Sequence, residues 1–268
     1  MDASNERTDA IKFTAQSVYG DPQVVTGVCE THGSWSLNTY SVIPDRVKTC
    51  PGCVADVRAR KEAEESAAKA KASVERRIGR LIDCGVNERH QDKTFDVFVA
   101  ETAEQANALN RCKSLVDGIL DNPKRKPSLV LLGNPGTGKS HLACSMVIAL
   151  SDAGVNAYRV CISDLVRDFK NTYGKRDSEE TESDLLRFYG RVPLLVIEEI
   201  GVQFGSDTER MYLFEVMNRR YENCLPTVFV SNLDAAKLTA EVGERVIDRL
   251  REDGGTFLLF RGESWRKK

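Results

Sequence analysis

A glycine-rich loop between an apolar run and a helix-forming run constrains this chain more than any other feature. Residues 133–140 read Gly-Asn-Pro-Gly-Thr-Gly-Lys-Ser, after the apolar residues 128–132. In such a loop the glycines let backbone N–H groups approach phosphate oxygens, while the lysine reaches the β- and γ-phosphates and the serine hydroxyl binds Mg²⁺. The following helix adds unpaired N–H groups that favour an anion. The loop therefore predicts a site for ATP and Mg²⁺, formed by Gly133, Asn134, Pro135, Gly136, Thr137, Gly138, Lys139, Ser140 and His141.

Apolar runs and helix-forming segments alternate after this phosphate loop (residues 133–140). The runs are residues 156–162, 194–197, 227–230 and 256–260. Together with residues 129–132 they predict an α/β fold with a five-stranded parallel sheet. Ligand chemistry is expected at the carboxyl ends of the strands.

Two adjacent carboxylates follow the apolar residues 194–197. Glu198 is expected to hold Mg²⁺ and Glu199 to orient the water that attacks the γ-phosphate. The first position is usually Asp in ATPases of this kind, so the longer Glu198 predicts a change in metal affinity or turnover. Asn232 follows the fourth apolar run, where its amide can sense the γ-phosphate.

Two arginines four residues apart share one face of the helix predicted at residues 243–250. They are Arg245 and Arg249. Either is a candidate arginine finger that reaches the γ-phosphate bound by a neighbouring copy. This pair predicts self-association through the ATP sites.

Cysteine spacing near the N-terminus is typical of a zinc ribbon. Cys29 and His32 form one pair and Cys50 and Cys53 the other, each within turn-forming residues. Two such knuckles can close a tetrahedron around Zn²⁺ with no open position, so the metal is expected to be structural.

Residues 54–77 are rich in Ala, Glu, Lys and Arg and lack Pro and Gly, which favours a long solvated helix. An amphipathic helix is predicted at residues 102–120, against the ATPase core. We therefore predict a zinc-ribbon-like domain at 1–54, a helical linker at 55–125 and an ATPase domain at 126–268. The linker is equally consistent with a plain spacer and with a docking region for a partner protein.

The formal net charge of −2 limits any nucleic-acid contact to a local patch. Residues 163–176 interleave cations and aromatics, which suits single-stranded DNA because bases stack on aromatic rings. The candidates are Phe169, Lys170, Tyr173, Lys175 and Arg176; alternatively, Phe169 belongs to the core and the cations are simply solvated. The polar N-terminus and the lack of a long apolar run favour a cytoplasmic protein.

Four segments of this chain together resemble the DnaC-type AAA+ replicative helicase loaders. They are the phosphate loop, residues 194–202, Ser231-Asn232 and residues 243–250. The resemblance covers about residues 78–268. It implies an AAA+ domain without a C-terminal lid, a hexameric replicative helicase as partner, and a single-stranded DNA site controlled by ATP, where Tyr173 matches an aromatic of the loader pattern. It also makes Arg249 the trans-acting finger, with Arg245 beside it, and Arg266 a second sensor.

Three alternatives remain open at this stage. A transposition helper ATPase shares this core but uses double-stranded DNA and a transposase. A small-molecule P-loop kinase is disfavoured because it would need a lid and an acceptor pocket. A switch that binds ATP and scarcely hydrolyses it is favoured somewhat by Glu198.

Overall fold

A computed structural model describes residues 20–41, 49–172, 181–201, 206–262 and 264–265. The chain divides into two compact units, Met1–Val74 and Glu75–Lys268. This differs from the predicted boundaries, because residues 75–125 fold with the ATPase sheet instead of forming a separate linker. The physical reason is burial: Leu81, Val86 and the apolar face of the helix at 103–121 belong to the same core as the sheet.

The first unit contains an antiparallel hairpin. Strand β1 (Pro22–Cys29) pairs with β2 (Gly33–Tyr40), with Cys29 opposite Gly33 at the turn. Helix α1 (Pro51–Asp83) begins at the second cysteine pair and continues past the boundary between the units. Ion pairs between residues four apart, such as Arg58 with Glu62, support its exposed surface.

The second unit alternates helices and strands. In chain order they are a 3₁₀ turn (Glu88–His90), α2 (Ala103–Asp121), β3 (Leu129–Gly133), α3 (Lys139–Asp152), β4 (Ala157–Cys161), α4 (Ile162–Asn171), α5 (Glu182–Arg191), β5 (Leu194–Ile200), α6 (Asp207–Glu222), β6 (Thr227–Ser231), α7 (Ala235–Val242), α8 (Glu244–Arg251), a 3₁₀ turn (Glu252–Gly254) and β7 (Thr256–Phe260). Reciprocal capping boxes at Thr102, Thr181 and Ser206 fix the starts of α2, α5 and α6.

The five strands of this unit form one parallel sheet in the order β4-β5-β6-β3-β7. This confirms the predicted α/β fold with a five-stranded parallel sheet. Helices α2 and α3 cover one face and the helices from α4 to α8 contribute to the core on the other. The carboxyl ends of β3, β5 and β6 are therefore neighbours, and residues that follow these strands meet at one edge.

None of the helices within the described part of the chain combines the length and the apolar character needed to cross a membrane.

Candidate nucleotide site and metal centre

The phosphate loop connects the end of β3 to the start of α3. Gly136 and Gly138 have positive φ angles of 79° and 102°, which L side chains rarely adopt. A Cβ atom at Gly138 would lie 2.7 Å from the Phe98 ring, so this position has no room for a side chain. The Lys139 ammonium is buried and donates to the carbonyls of Gly133 and Asn134, both at 2.7 Å. The lysine thus lies across the loop where a phosphate would bind.

A cavity of about 330 Å³ opens over this loop. Its walls combine the phosphate loop with the ends of β5 and β6, as parallel strand order requires. Among the predicted site residues, the cavity brings together Pro135, Gly136, Gly138, Lys139, Ser140, His141, Glu198, Glu199 and Asn232. A nucleoside triphosphate held here would have its phosphates beside two carboxylates and an amide.

Both carboxylates face this cavity because β5 is irregular at its end. Successive residues of a regular strand point to opposite faces of the sheet. The pairing of β5 with β6 shifts register between Ile197 and Ile200, and Glu199 has φ +62°. This bulge turns the exposed Glu199 side chain to the same side as the buried Glu198.

Glu198 forms a buried ion pair that the sequence did not predict. Its Oε2 accepts a hydrogen bond from Arg159 Nη2 at 2.7 Å, and Arg159 Nη1 donates to the Gly85 carbonyl at 3.1 Å. Burial opposes the charge on Arg159, but the hydrogen bond and the charge of Glu198 outweigh it, so the pKa of the guanidinium rises overall. Glu198 Oε1 is buried and has no hydrogen-bond partner among the described residues.

That orphaned oxygen fits a cation. Glu198 and Ser140 line the same cavity, and carboxylate and hydroxyl oxygens are the ligands that Mg²⁺ prefers. These two residues would hold Mg²⁺ beside a bound nucleotide, where the cation would neutralise phosphate charge.

Cations from the segment before α2 also line the cavity and were missed. The cations are Arg89 and Lys93, and His90 lies between them in the sequence; all three are in a polar stretch without a recognisable motif. His141 accompanies them: its Nε2 lies 2.9 Å from the Thr94 carbonyl oxygen, and burial lowers its pKa. Burial lowers the pKa of His90 as well.

Comparison with known proteins matches residues 104–268 to the family described as IstB-like ATP binding protein. This region is more than half of the chain. The chain belongs to the IstB-like ATP-binding protein family.

Among its relatives, the replicative helicase loader DnaC of Escherichia coli (strain K12) is 32% identical over 184 residues, which cover 69% of this chain and 73% of that protein. The DnaC loader of Buchnera aphidicola subsp. Acyrthosiphon pisum is 33% identical over 183 residues, 68% and 73% of the two chains. These relatives confirm the predicted resemblance to DnaC-type loaders.

Solved structures share the fold. A crystal structure of the DnaC helicase loader matches with a TM-score of 0.58 at 23% identity, over 65% of this chain and all of that one. AMPPCP-bound DnaA from Aquifex aeolicus matches with a TM-score of 0.56 at 18% identity, over 66% and 51%. These matches confirm the predicted α/β fold.

The two candidate arginine fingers, Arg245 and Arg249, lie on α8, and neither lines the cavity over the phosphate loop. Arg245 is exposed. Arg249 stacks on Phe214 at 4.7 Å and on Tyr221 at 5.3 Å, and its Nη1 is buried without a hydrogen-bond partner in the described regions. The chain's own nucleotide is therefore not their target in this conformation. Their assignment as trans-acting residues stays a prediction.

The predicted DNA residues do not all remain candidates. Phe169 is fully buried and stacks on Tyr212 with ring centroids 4.5 Å apart, so it is a core residue and its assignment to DNA was wrong. Its apolar neighbours on the inner face of α4 explain this burial. Lys170 is exposed and pairs with Glu209 at 3.3 Å. Tyr173, Lys175 and Arg176 lie outside the described residues.

Ser264 and Trp265 lie against the phosphate loop. The Trp265 backbone N–H donates to the Gly136 carbonyl at 3.0 Å, and a Cβ at Gly136 would overlap Ser264 Oγ. Arg266 lies outside the described residues, so its role as a second sensor stays a prediction. The Ser-Trp-Arg sequence was the available signal for this contact.

The four predicted zinc ligands come together in the first unit. The ligand atoms of Cys29, His32, Cys50 and Cys53 all lie within 4.8 Å of one another. Cys29 Sγ is 3.4 Å from Cys53 Sγ, and His32 Nδ1 is 3.5 Å from Cys53 Sγ. These separations suit a tetrahedral centre with Zn–S bonds of about 2.3 Å and Zn–N bonds of about 2.0 Å. The donor set therefore fits structural Zn²⁺.

The other ring nitrogen of this histidine has a partner of its own. His32 Nε2 lies 3.0 Å from Asp56 Oδ2, on the first turns of α1. A carboxylate on the second nitrogen fixes the orientation of a metal-binding imidazole and raises its basicity. Backbone and side-chain hydrogen bonds from His32 lower the pKa of Cys29 to about 6, which favours the thiolate that binds metal.

Proposed function

We propose that this protein is an ATP-dependent loader that binds a hexameric replicative DNA helicase and delivers it to single-stranded DNA. The observation that carries the proposal is the 32% identity to a replicative helicase loader over 73% of that protein. The cavity over the phosphate loop supports it, because it supplies the parts of a nucleotide-controlled switch.

In this proposal the cavity binds ATP and distinguishes it from ADP. Lys139 leaves the loop carbonyls and binds the β- and γ-phosphates, while Ser140 and Glu198 hold Mg²⁺. Glu199 orients the attacking water and Asn232 binds the γ-phosphate. Loss of that phosphate removes contacts at the ends of two strands, which couples hydrolysis to the conformation of the domain.

Hydrolysis is proposed to need a second copy of the chain. Arg249 would have to leave its stacked position between Phe214 and Tyr221 to reach the γ-phosphate of ATP bound to a neighbouring copy. Arg245, in contrast, is already exposed. Self-association of ATP-bound subunits thus becomes part of the switch.

The remaining partners are assigned by chemistry. The zinc-binding unit and α1 are proposed to bind the helicase, as a rigid small domain suits a protein partner. Single-stranded DNA is assigned to the last turn of α4 and the residues that follow it. There Tyr173 would stack a base, while Lys170, Lys175 and Arg176 would contact phosphates.

The proposal is tested by loading the purified cognate replicative helicase onto a circular single-stranded DNA, with helicase retained on DNA as the readout. The protein should stimulate retention in the presence of ATP. Lys139→Ala should abolish both nucleotide binding and loading, whereas Lys237→Ala, a surface change on α7, should leave both unchanged.

Two outcomes would contradict the proposal. Unchanged nucleotide affinity in Lys139→Ala would overturn the ATP site. Capture of a transposase in place of the helicase, with preference for double-stranded DNA, would make the protein a transposition helper ATPase.

A further inference from the structure

The buried ion pair between Arg159 and Glu198 is not required by the chemistry of ATP hydrolysis. In the pairing of β4 with β5, Arg159 lies opposite Val196, and Glu198 is two residues further along the same face. Such diagonal neighbours on one face are within reach of two long side chains, and here the guanidinium and the carboxylate meet at 2.7 Å. The extra methylene of Glu198 relative to Asp brings its carboxylate to the guanidinium.

Both side chains of the pair are almost completely removed from water. Their exposed fractions are 9% for Arg159 and 4% for Glu198. Charges attract strongly in such a site because little solvent screens them, and removing either partner leaves the other buried and uncompensated. Glu198 therefore already has a cationic partner within the protein.

We propose that Arg159 is a positioning residue that acts as a built-in counter-ion for Glu198 and weakens the dependence of nucleotide binding on Mg²⁺. Arg159 engages Oε2, so only the unpartnered Oε1 is available to the cation. The guanidinium also places a positive charge next to that oxygen, which opposes the approach of Mg²⁺. This inference rests on the proposed ATP site and deepens it.

The quantity to measure is the Mg²⁺ coupling, defined as the affinity for a slowly hydrolysed ATP analogue with Mg²⁺ divided by the affinity without it. Arg159→Met removes the positive charge and should raise the coupling about tenfold, or ~1.4 kcal/mol. Arg159→Lys, which retains the charge, should keep the coupling close to that of the unchanged protein. The double variant Arg159→Met/Glu198→Gln should cancel the increase, because no buried carboxylate remains.

Arg77→Met is the matched control. Arg77 also forms a bidentate pair, with Asp152 at 2.7 and 2.8 Å, on a part of the same unit that does not line the cavity over the phosphate loop. The control should leave the coupling unchanged, which shows that the effect depends on the position of the lost ion pair beside Glu198.

Glu198→Asp provides a second test of the proposal if the Arg159→Met variant does not fold. The shorter carboxylate withdraws from the guanidinium, so the coupling should again rise. Unchanged coupling in the folded variants overturns the role of Arg159, as does an increase that persists in the double variant. Failure of the unchanged protein to bind the analogue under either condition would instead overturn the ATP site itself.

Discussion

At the scale of single residues, Glu199 combines an unfavourable backbone conformation with a predicted chemical role. Its φ of +62° is uncommon for a residue other than Gly or Asn. Such backbone conformations persist where the surrounding structure imposes them. Here the bulge in β5 imposes it and turns the carboxylate toward the cavity. The candidate nucleotide site therefore contains local strain that a glycine would relieve.

Glu199→Gly is expected to stabilise the protein by about 1 kcal/mol, since a left-handed conformation costs a residue with a Cβ ~1–2 kcal/mol. The same change should abolish ATP hydrolysis, because the proposed water-orienting carboxylate is gone. Urea denaturation and phosphate release measure the two effects.

Glu215→Gly serves as the control for this prediction. Glu215 lies within α6, where glycine should cost about 1 kcal/mol. A loss of stability of the same size at Glu199 would contradict the strain that we infer there.

Phe169 makes a different prediction, because it is a core residue. Phe169→Ala should lower the free energy of unfolding by about 3–5 kcal/mol, through loss of its stack on Tyr212 and the cavity left behind. Lys170→Ala, one position later on the exposed face, should change stability by less than ~0.5 kcal/mol. Chemical denaturation of both variants tests the contrast, and equal effects would contradict the burial of Phe169.

Residue types predicted some of the candidate site and could not predict the rest. The phosphate loop, Glu198, Glu199 and Asn232 are found by motif and by their position after apolar runs, and the structure places them around one cavity. Arg159 carries no such signal. Its partner is 39 residues away in the chain, and their meeting depends on β4 lying beside β5.

At the scale of elements, the alternation of strands and helices could be predicted from the sequence, because buried parallel strands are continuous apolar runs. The order of the strands in the sheet could not be predicted from the sequence, since periodicity does not specify which strands are neighbours. The linker was predicted at residues 55–125, and its helix at 102–120 was expected against the ATPase core. In the structure α2 shares a core with the sheet, but its amphipathic spacing alone does not specify which strands it covers.

The zinc knuckles give a prediction at this scale. Asp56→Ala should weaken Zn²⁺ binding about 10–100-fold, because the carboxylate orients His32. Competition with a chromophoric chelator measures the affinity. Glu62→Ala, which removes an exposed ion pair from the same helix, is the control and should leave Zn²⁺ binding unchanged.

At the scale of the whole molecule, the two compact units separate metal chemistry from nucleotide chemistry. The candidate zinc ligands all lie in Met1–Val74, whereas the phosphate loop and both carboxylates lie in Glu75–Lys268. Removal of Zn²⁺ should therefore leave nucleotide affinity intact while it impairs the proposed contact with the helicase.

Assembly of several copies gives the last prediction. Lys139→Ala subunits lack the phosphate lysine and Arg249→Ala subunits lack the proposed finger, so each preparation alone should be inactive as an ATPase. A mixture should recover part of the activity, because an intact phosphate loop can then meet an intact Arg249. A mixture as inactive as its components would contradict action in trans, and the same experiment with Arg245→Ala shows which arginine contributes.

The contact between Trp265 and Gly136 has a practical consequence for spectroscopy. The chain has two tryptophans, and each compact unit contains one of them: Trp35 lies over Gly27 in the hairpin, and Trp265 lies against the phosphate loop. Replacing Trp35 with Phe leaves a single tryptophan, next to the phosphate loop, whereas replacing Trp265 with Phe leaves a single tryptophan in the hairpin that carries Cys29 and His32. Emission from the two single-tryptophan proteins would follow nucleotide and metal occupancy separately, without any attached dye.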